Sequence, residues 1–504
     1  MDRELLDSKG IYERSNDNQP KDNRAICQKQ KEAGEKEQRE QSEENLVEIL
    51  SKTIEHYFPE FNEWLKELSD PRDQEAIEFS TQTQIWTGLL LFLTKRGARK
   101  KISDEMRSER FRENLQILSQ QEDLRRVAHG DTVDYAYMRF KEEEFEKLEA
   151  KLIRNLLRKR GLEKYRLLGK YYMVAIDASG TYSFDERHCA QCLVRESGKG
   201  KKKYFHYKLQ ASLVTADGIC LPMASEWIEN EVNFDKQDCE IKAFYRLIKK
   251  LRRLYRQLPM CILLDGLYAG EPQFEAMEKE RMEWVVVFKE GSMPEIYKWA
   301  TKWKAEYGAE NMLVKEETKE IGVRNKRTHQ EKLMRSKPKY LTRTIKTRKT
   351  YSWMQGIKHW NNQRRYNLLT CRDEEDGRIK CDYVWLLSDG LLLCRETVEE
   401  LSKGGRCRWK QENEGFNTQK NGGYRLEHCY SRDPVAMKIW NKILEIAHII
   451  AQLIERGSLI AKEKYGSIQN IANRMFEHLS YFVFNKPKEK PKIQIRLQPY
   501  WDTS

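Results

Sequence analysis

Two short apolar runs decide the fold: Tyr171-Tyr-Met-Val-Ala-Ile-Asp177 and Met260-Cys-Ile-Leu-Leu-Asp265. Each run has the length and apolar character of a buried β-strand, and each ends at an aspartate. Strand-like patterns also cover residues 205–215 and 283–288, and a helix with one apolar face covers 238–258. Because strands alternate with a helix along this stretch, the sequence predicts an α/β fold built on a mixed sheet.

The whole chain is basic. Its 504 residues include 92 Lys and Arg against 79 Asp and Glu, which gives a net charge of +13. This excess favours a polyanionic partner, most often nucleic acid, although a basic protein without such a partner is the alternative. The 11 cysteines do not indicate a disulfide scaffold in a chain of this length. The N-terminus has no apolar signal core and no apolar stretch has the length of a membrane span, so we expect a cytoplasmic protein.

The two aspartates that end the apolar runs are candidate metal ligands. Small residues follow both of them, Ala-Ser-Gly180 after Asp177 and Gly266 after Asp265, which leaves room for ions and substrate. Ligands of α/β folds bind where strands end, although a lone aspartate there is more often a turn former or a helix cap. A third acid further along the chain strengthens the pattern. Two Mg²⁺ or Mn²⁺ ions about 3.5–4 Å apart, held by these three carboxylates, would support in-line phosphoryl transfer.

The third acid is expected on a helix over residues 408–420. Glu412 shares one face of that helix with Arg408 and Phe416 at spacings of four residues, whereas Glu414 points elsewhere. We choose Glu412, because Arg408 one turn earlier can orient it or bind a phosphate, and keep Glu414 as the alternate. A solvated helix with an ordinary ion pair is the competing interpretation.

Three stretches of the chain resemble a known family: Val174-Ala-Ile-Asp-Ala-Ser179, Leu263-Leu-Asp-Gly-Leu-Tyr268, and the segment from Arg408 to Lys420. They are similar to the motifs of DDE transposases of the insertion-sequence type four superfamily, over roughly residues 130–460. The resemblance implies a ribonuclease H-like core, in which helices flank a mixed sheet that a β-rich insertion interrupts. It also implies cleavage at transposon ends and strand transfer into target DNA, with the three acids as catalytic metal ligands.

The chain departs from the family signature in two places. In the signature, Tyr is followed after two residues by Arg, after three more by Glu and after six more by Lys. Arg408 and Glu412 have the spacing of its Arg and Glu. Gly405 stands where the signature has Tyr, and Lys420 comes one residue later than the signature lysine. By the resemblance, Arg408 and Lys420 are expected to contact DNA.

Composition and the resemblance together divide the chain into segments. We expect a disordered charged arm over 1–44, a helical N-terminal domain over 45–170 as a candidate reader of DNA ends, the first part of the catalytic core over 171–289, a β-rich basic insertion over 290–395, the second part of the core over 396–460, and a helical extension and tail over 461–504.

The predicted insertion carries a basic segment. Between Arg324 and Lys349, 11 residues are Lys or Arg and one is acidic. The residues expected to bind DNA are Arg343, Lys346, Arg348 and Lys349. Trp353 and Trp360 lie among further basic residues and are candidates for stacking on a displaced base, with the hydrophobic core of the insertion as the alternative.

A second metal site is suggested by His188-Cys-Ala-Gln-Cys192 together with His206. A Cys-x₂-Cys pair is a common half of a zinc site, and Cys189, Cys192 and His206 are the candidate ligands for structural Zn²⁺. The second half has no pair of its own in the sequence, so ordinary buried or surface thiols are the alternative.

The sequence therefore predicts a cut-and-paste DNA transposase. Its expected partners are the terminal inverted repeats of a transposon and target DNA, bound by a homodimer, with no membrane, in the nucleoid-associated cytoplasm of a prokaryote. One alternative is a nuclease on the same core that cuts without rejoining. Another is a catalytically silent DNA-binding protein derived from a transposase.

Overall fold

The computed structural model describes residues 45–73, 75–198, 200–231, 236–307, 311–324, 340–358, 364–460, 465–484 and 494–498. The charged arm predicted over 1–44 lies outside them. None of the helices in these ranges is long and apolar enough to cross a bilayer.

The helices fall before, within and after the sheet. They are α1 (Leu46–Tyr57), α2 (Phe61–Lys66), α3 (Thr81–Leu93), α4 (Lys100–Glu105), α5 (Glu109–Ser119), α6 (Gly130–Tyr137), α7 (Glu142–Arg158), α8 (Glu240–Leu254), α9 (Glu271–Lys279), α10 (Pro294–Tyr307), α11 (Val398–Arg406), α12 (Thr418–Asn421), α13 (Pro434–Arg456) and α14 (Ile468–Tyr481). Helix α3 is buried along its whole length, as its apolar sequence requires. Ser80 is the N-cap residue of α3, and its side chain accepts a hydrogen bond from the Thr83 backbone N–H.

The strands of the described residues form one sheet of ten. They are β1 (Tyr172–Phe184), β2 (Leu193–Glu196), β3 (Lys202–Val214), β4 (Cys220–Ile228), β5 (Met260–Leu264), β6 (Glu283–Val287), β7 (Met312–Arg324), β8 (Tyr340–Lys358), β9 (Arg365–Glu375) and β10 (Arg378–Ser388). Both β2 and β4 pair with β3, and the order then continues β3-β1-β5-β6-β10-β9-β8-β7. Strands β1, β5 and β6 are parallel, and the other pairings are antiparallel. The prediction of a mixed α/β sheet is confirmed.

Strand β1 continues past Asp177, so the prediction that it ends there is wrong. It reaches Phe184, and Asp177 pairs with Gln210 of β3 inside an antiparallel ladder. The parallel pairing with β5 stops earlier, at Ala175 and Leu263. The aspartate therefore lies just past the end of β5, while β3 supplies hydrogen-bond partners along the rest of β1.

The strands after residue 311 extend the sheet that contains β1. Strand β10 pairs with β6 from Trp385↔Val287 to Leu387↔Val285, and β9, β8 and β7 follow toward the edge. The segment predicted to be a β-rich insertion also contains helix α10, which the prediction did not include. Its strands are thus part of the same sheet and do not form a second one.

Two hydrophobic clusters lie on opposite faces of the sheet. On β1, Val174 and Ile176 pack in the larger cluster with the N-terminal helices and α13. Met173 and Ala175 pack in the second cluster, which includes residues of α11. Because side chains alternate along a strand, Asp177 belongs to the face that α11 covers.

A buried ionic network joins α7, α13 and β3. Lys208 Nζ lies 2.7 Å from Glu445 Oε1, and Lys442 Nζ lies 2.8 Å from Glu149 Oε2 and 2.9 Å from Glu445 Oε2. Burial acts to raise the pKa of Glu445, but the two ammonium groups outweigh it and lower that pKa to about 2. Charges this deep are stable only with their partners, so the network fixes the helices against the strand.

Candidate active site

Asp177 is a half-buried carboxylate with one close cation. Its Oδ1 accepts a hydrogen bond from the Ala178 backbone N–H at 2.9 Å, and its Oδ2 lies 3.5 Å from Arg408 Nη1. Burial raises the pKa of Asp177, Arg408 and the Ala178 N–H oppose this, and the charges of Asp265 and Glu412 raise it further. The charges of Asp265 and Glu412, which come from distant parts of the chain, thus both act on Asp177.

Asp265 directly follows β5 and begins a short 3₁₀ turn over Gly266–Tyr268. Its Oδ1 accepts a hydrogen bond from the Leu267 backbone N–H at 2.9 Å. Asp265 is thus a helix cap, as the competing interpretation proposed, and its charge also acts on Asp177. The two roles are compatible because the cap uses one carboxylate oxygen. A side chain at Gly266 would meet the Val287 carbonyl oxygen at 3.3 Å, so the turn fits closely against β6.

The segment that carries the third acid is a π-helix over Gln411–Asn417, followed by α12. A regular α-helix over 408–420 was expected, so this detail of the prediction is wrong. A π-helix has about one more residue in each turn than an α-helix, so residues four positions apart no longer lie on the same face. Accordingly Phe416 is buried, whereas Glu412 is exposed.

The two glutamates of the π-helix face different surroundings. Glu412 is one of the charges that raise the pKa of Asp177. Glu414 instead pairs with Lys410, whose Nζ lies 2.7 Å from Glu414 Oε1. Glu414 also lies beside Gly218 in the β3–β4 turn, where a Cβ would meet Oε1 at 3.4 Å. This placement favours Glu412 over Glu414 as the partner of the two aspartates.

Trp409 is an exposed aromatic residue that contacts Arg408, and no role was predicted for it from the sequence. Its side chain is 47% exposed, and the Arg408 guanidinium lies 4.7 Å from the ring centroid. A large exposed aromatic ring next to a buried arginine offers a stacking surface. The Arg-Trp pair was the available signal, but only its arginine was assigned a role.

Glu240 is a fourth carboxylate near the site, and it too was missed. Burial raises the pKa of Glu240, the Tyr268 hydroxyl opposes this, and Asp177 and Asp265 raise it further. Tyr268 Oη donates to Glu240 Oε1 at 2.5 Å. Glu240 stands in the first turn of α8, where acidic residues are common because they stabilise the helix N-terminus. Because acidic residues are common at this position of a helix, the sequence does not mark Glu240 as a site residue.

The structure distributes the predicted DNA-binding basic residues over two faces of β8. Arg343 and Lys349 fall on one face and Lys346 and Arg348 on the other, because strand residues alternate. Arg343 pairs with Asp376 at 2.8 Å, and Arg348 lies 3.5 Å from Glu316. Lys420, in α12, pairs with Glu427, with 2.9 Å between Nζ and Oε1.

The two tryptophans predicted to stack on a base have different outcomes. Trp353 is 6% exposed and packs in the second hydrophobic cluster. The stacking prediction for Trp353 is therefore corrected to the core alternative, since its ring has no free face. Trp360 lies outside the described residues.

The cysteine and histidine residues proposed for zinc lie together. Cys189, Cys192 and His206 form one group, and His188 joins them. They lie between the far end of β1 and β3, separate from the carboxylates.

No family model matches the sequence, and neither does any curated protein. Among solved structures, piggyBac transposase in a synaptic complex with hairpin DNA is similar with a TM-score of 0.39 and 12% identity, over 86% of this chain and 80% of that chain.

Proposed function

We propose that the chain is a DDE-type DNA transposase that cleaves DNA at transposon ends and joins the ends to target DNA. The observation that carries this proposal is the convergence of three acids. Asp177 lies beside the end of β5, Asp265 directly follows that strand, and Glu412, on a π-helix far along the chain, is near enough for its charge to raise the pKa of Asp177.

The strand order supports the ribonuclease H-like core that the family resemblance implies. The first three long strands, β1, β3 and β4, pair antiparallel, and β5 and β6 then continue parallel to β1 on its other side. With the four-residue edge strand β2 set aside, β5 is the fourth core strand, and the second aspartate follows it, as in the family.

The donor set suits two Mg²⁺ or Mn²⁺ ions. Asp177, Asp265 and Glu412 offer carboxylate oxygens, which hard divalent cations prefer. Burial and two neighbouring acids raise the pKa of Asp177, and divalent cations would offset that repulsion. When bound, such ions would activate water or a 3′-hydroxyl and stabilise the leaving oxygen.

The residues of this chain would position the reacting groups. Strands β1 and β5 hold two carboxylates on the sheet, and Arg408 favours the ionised form of Asp177 and orients it. Arg408 and Lys420 would contact phosphates of the bound end, with the exposed basic residues of β8 adding contacts further away. We further propose DNA as the partner, a homodimer on paired ends, and a prokaryotic cytoplasmic setting.

The test is cleavage of a labelled duplex that carries the terminal inverted repeat flanking the coding sequence. Wild type should cut with Mg²⁺ or Mn²⁺, whereas Asp177→Asn and Asp265→Asn should bind the duplex without cutting it. Asp389→Asn, at an exposed aspartate next to β10, is the matched control and should cut like wild type.

The same assay separates the alternative functions. Pre-cleaved ends with free 3′-hydroxyls should insert into plasmid DNA if the chain is a transposase. Cutting without insertion would indicate a nuclease on the same core. Binding of ends with no cutting under either metal would indicate a catalytically silent DNA-binding protein.

A further inference from the structure

Four metal-ligating side chains meet between the end of β1 and the start of β3. His188, Cys189 and Cys192 lie in the β1–β2 connection, and His206 comes from β3. The ligand atoms all lie within 4.8 Å of one another. Cys192 and His206 are buried, and the other two are half-buried. Two segments separated in the chain thus contribute to one compact group.

The distances within this group are those of a tetrahedral site. Cys192 Sγ lies 3.4 Å from Cys189 Sγ, from His188 Nδ1 and from His206 Nε2, and Cys189 Sγ lies 3.4 Å from His206 Nε2. Ligands at tetrahedral corners around Zn²⁺, with Zn–S near 2.3 Å and Zn–N near 2.0–2.1 Å, are separated by about 3.3–3.8 Å. The two sulfurs are too far apart for a disulfide, whose bond is about 2.05 Å.

We propose that His188, Cys189, Cys192 and His206 bind a structural Zn²⁺ ion. The sequence offered three of these ligands, and the structure supplies the fourth. Two thiolates and two imidazoles are a preferred zinc donor set, and a site with four protein ligands has no open position for substrate.

The surroundings of the group hold its ligands in place. The Phe184 ring stacks on the His188 ring with centroids 4.4 Å apart and an angle of 13° between the planes. Asn230 Nδ2 donates to the Cys192 carbonyl oxygen at 2.9 Å, and Thr181 Oγ1 donates to the His206 carbonyl oxygen at 3.2 Å. These contacts hold the ring of His188 and the backbone of Cys192 and His206.

The ion would fasten the β1–β2 connection to β3. His206 lies opposite the irregular part of β1 between Gly180 and Ser183, where the regular pairing is interrupted. Along β3, His206 is four residues from Gln210, the partner of Asp177, or about 13 Å at the rise of a strand. The site is therefore distinct from the carboxylates and would act on them only by stiffening the two strands.

The first test is metal content. Full-length wild type, purified without chelator from zinc-supplemented cells, should contain about one zinc ion per chain. Cys189→Ala/Cys192→Ala should contain almost none. Cys239→Ser/Cys381→Ser removes two thiols elsewhere and should keep the zinc of wild type. Equal zinc in the Cys189→Ala/Cys192→Ala variant, or no zinc in wild type after reconstitution, would overturn the proposal.

The second test remains decisive if the double alanine variant does not fold. Wild type loaded with Co²⁺ should show visible bands of a tetrahedral ion and a near-ultraviolet thiolate charge-transfer band. Cys189→His keeps four ligands but one thiolate, so it should retain the visible bands and lose about half of the charge-transfer intensity. Absence of tetrahedral bands in wild type would overturn the assignment. DNA cleavage is not a readout in either test, so the zinc proposal stands or fails independently of the transposase proposal.

Discussion

Arg408 places its Nη1 atom 3.5 Å from Oδ2 of Asp177, and its own side chain is only 9% exposed. A nearly buried guanidinium is thus paired with the Asp177 carboxylate. Burial raises the pKa of this carboxyl, and the charge of Arg408 acts in the opposite direction. The pair links the helical segment of the third acid to the central strand. Arg408 therefore acts on the site by favouring the ionised form of Asp177.

Replacing Arg408 should impair cleavage in a pH-dependent way. In Arg408→Met the pKa of Asp177 rises, so the acidic limb of the rate profile moves to higher pH, and the neutral-pH rate falls about 10–100-fold. Arg408→Lys retains the charge and should move the limb less. Cleavage rates of the three proteins across acidic and neutral pH measure this. A lower rate with an unmoved limb would instead mean that Arg408 serves only to contact phosphate.

Replacing Glu412 and replacing Glu414 should have different effects on DNA cleavage. Glu412→Gln should reduce cleavage on the order of 10³-fold with DNA binding retained, because a metal ligand is lost. Glu414→Gln, the matched control two residues away, removes only the ion pair with Lys410 and should cut within a few-fold of wild type. Single-turnover cleavage measures both variants. If Glu414→Gln is the inactive one, the assignment of the third acid is reversed.

Metal-free Asp177→Asn should be more stable than metal-free wild type. The pKa of Asp177 is raised in the folded chain, so its ionised form costs folding free energy above that pKa, and the cost vanishes below the ordinary value of 3.8. The free energy of unfolding should rise on the order of 1 kcal/mol at neutral pH, and the gain should disappear on acidification. Urea unfolding with chelator measures this. Added Mg²⁺ should stabilise wild type but not the variant.

Removing a cation from the buried network should destabilise the fold. Lys442→Met leaves Glu149 and Glu445 without their shared ammonium group, and the expected loss is about 3–5 kcal/mol. Lys403→Met removes the exposed partner of Glu399 and should cost less than about 1 kcal/mol. Chemical unfolding of both variants gives the comparison. Similar losses for the two lysines would contradict a special role for the buried network.

Trp409 should contribute to DNA binding, whereas Trp353 should not. Base stacking on an exposed aromatic ring is worth about 1–3 kcal/mol, so Trp409→Ala should weaken binding of end DNA about 5–150-fold. Trp353→Phe alters a buried ring and should change stability more than affinity. Fluorescence anisotropy at fixed salt measures affinity. Equal affinity for wild type and Trp409→Ala would exclude stacking at this position.

Much of the sheet could be predicted because its strands are buried. All five residues of β5 are buried, which produces an apolar run that needs no alignment to recognise. The continuation of β1 beyond Asp177 could not be predicted, because Ala178, Ser179 and Gly180 are small residues with little strand preference and are held by pairing with β3. Pairing partners follow from tertiary structure and leave little trace in local composition.

The candidate site was predictable in part for similar reasons. Asp177 and Asp265 directly follow apolar runs, and this position indicates that they are candidate site residues. Glu240 resembles any acidic residue in the first turn of a helix. The zinc ligands predicted from the sequence do not include His188, although it stands beside Cys189, and the structure brings both residues into one group. The π-helix was missed because spacings of four and five residues are not distinguished by residue type.

The π-helix also affects the position of Lys420 around the helix axis. A π-helix has about one more residue in each turn than an α-helix, so the seven residues between Glu412 and Lys420 turn the chain through nearly the angle that six residues turn in an α-helix. The direction of a side chain after this segment therefore depends on the local winding of the helix as well as on the number of residues.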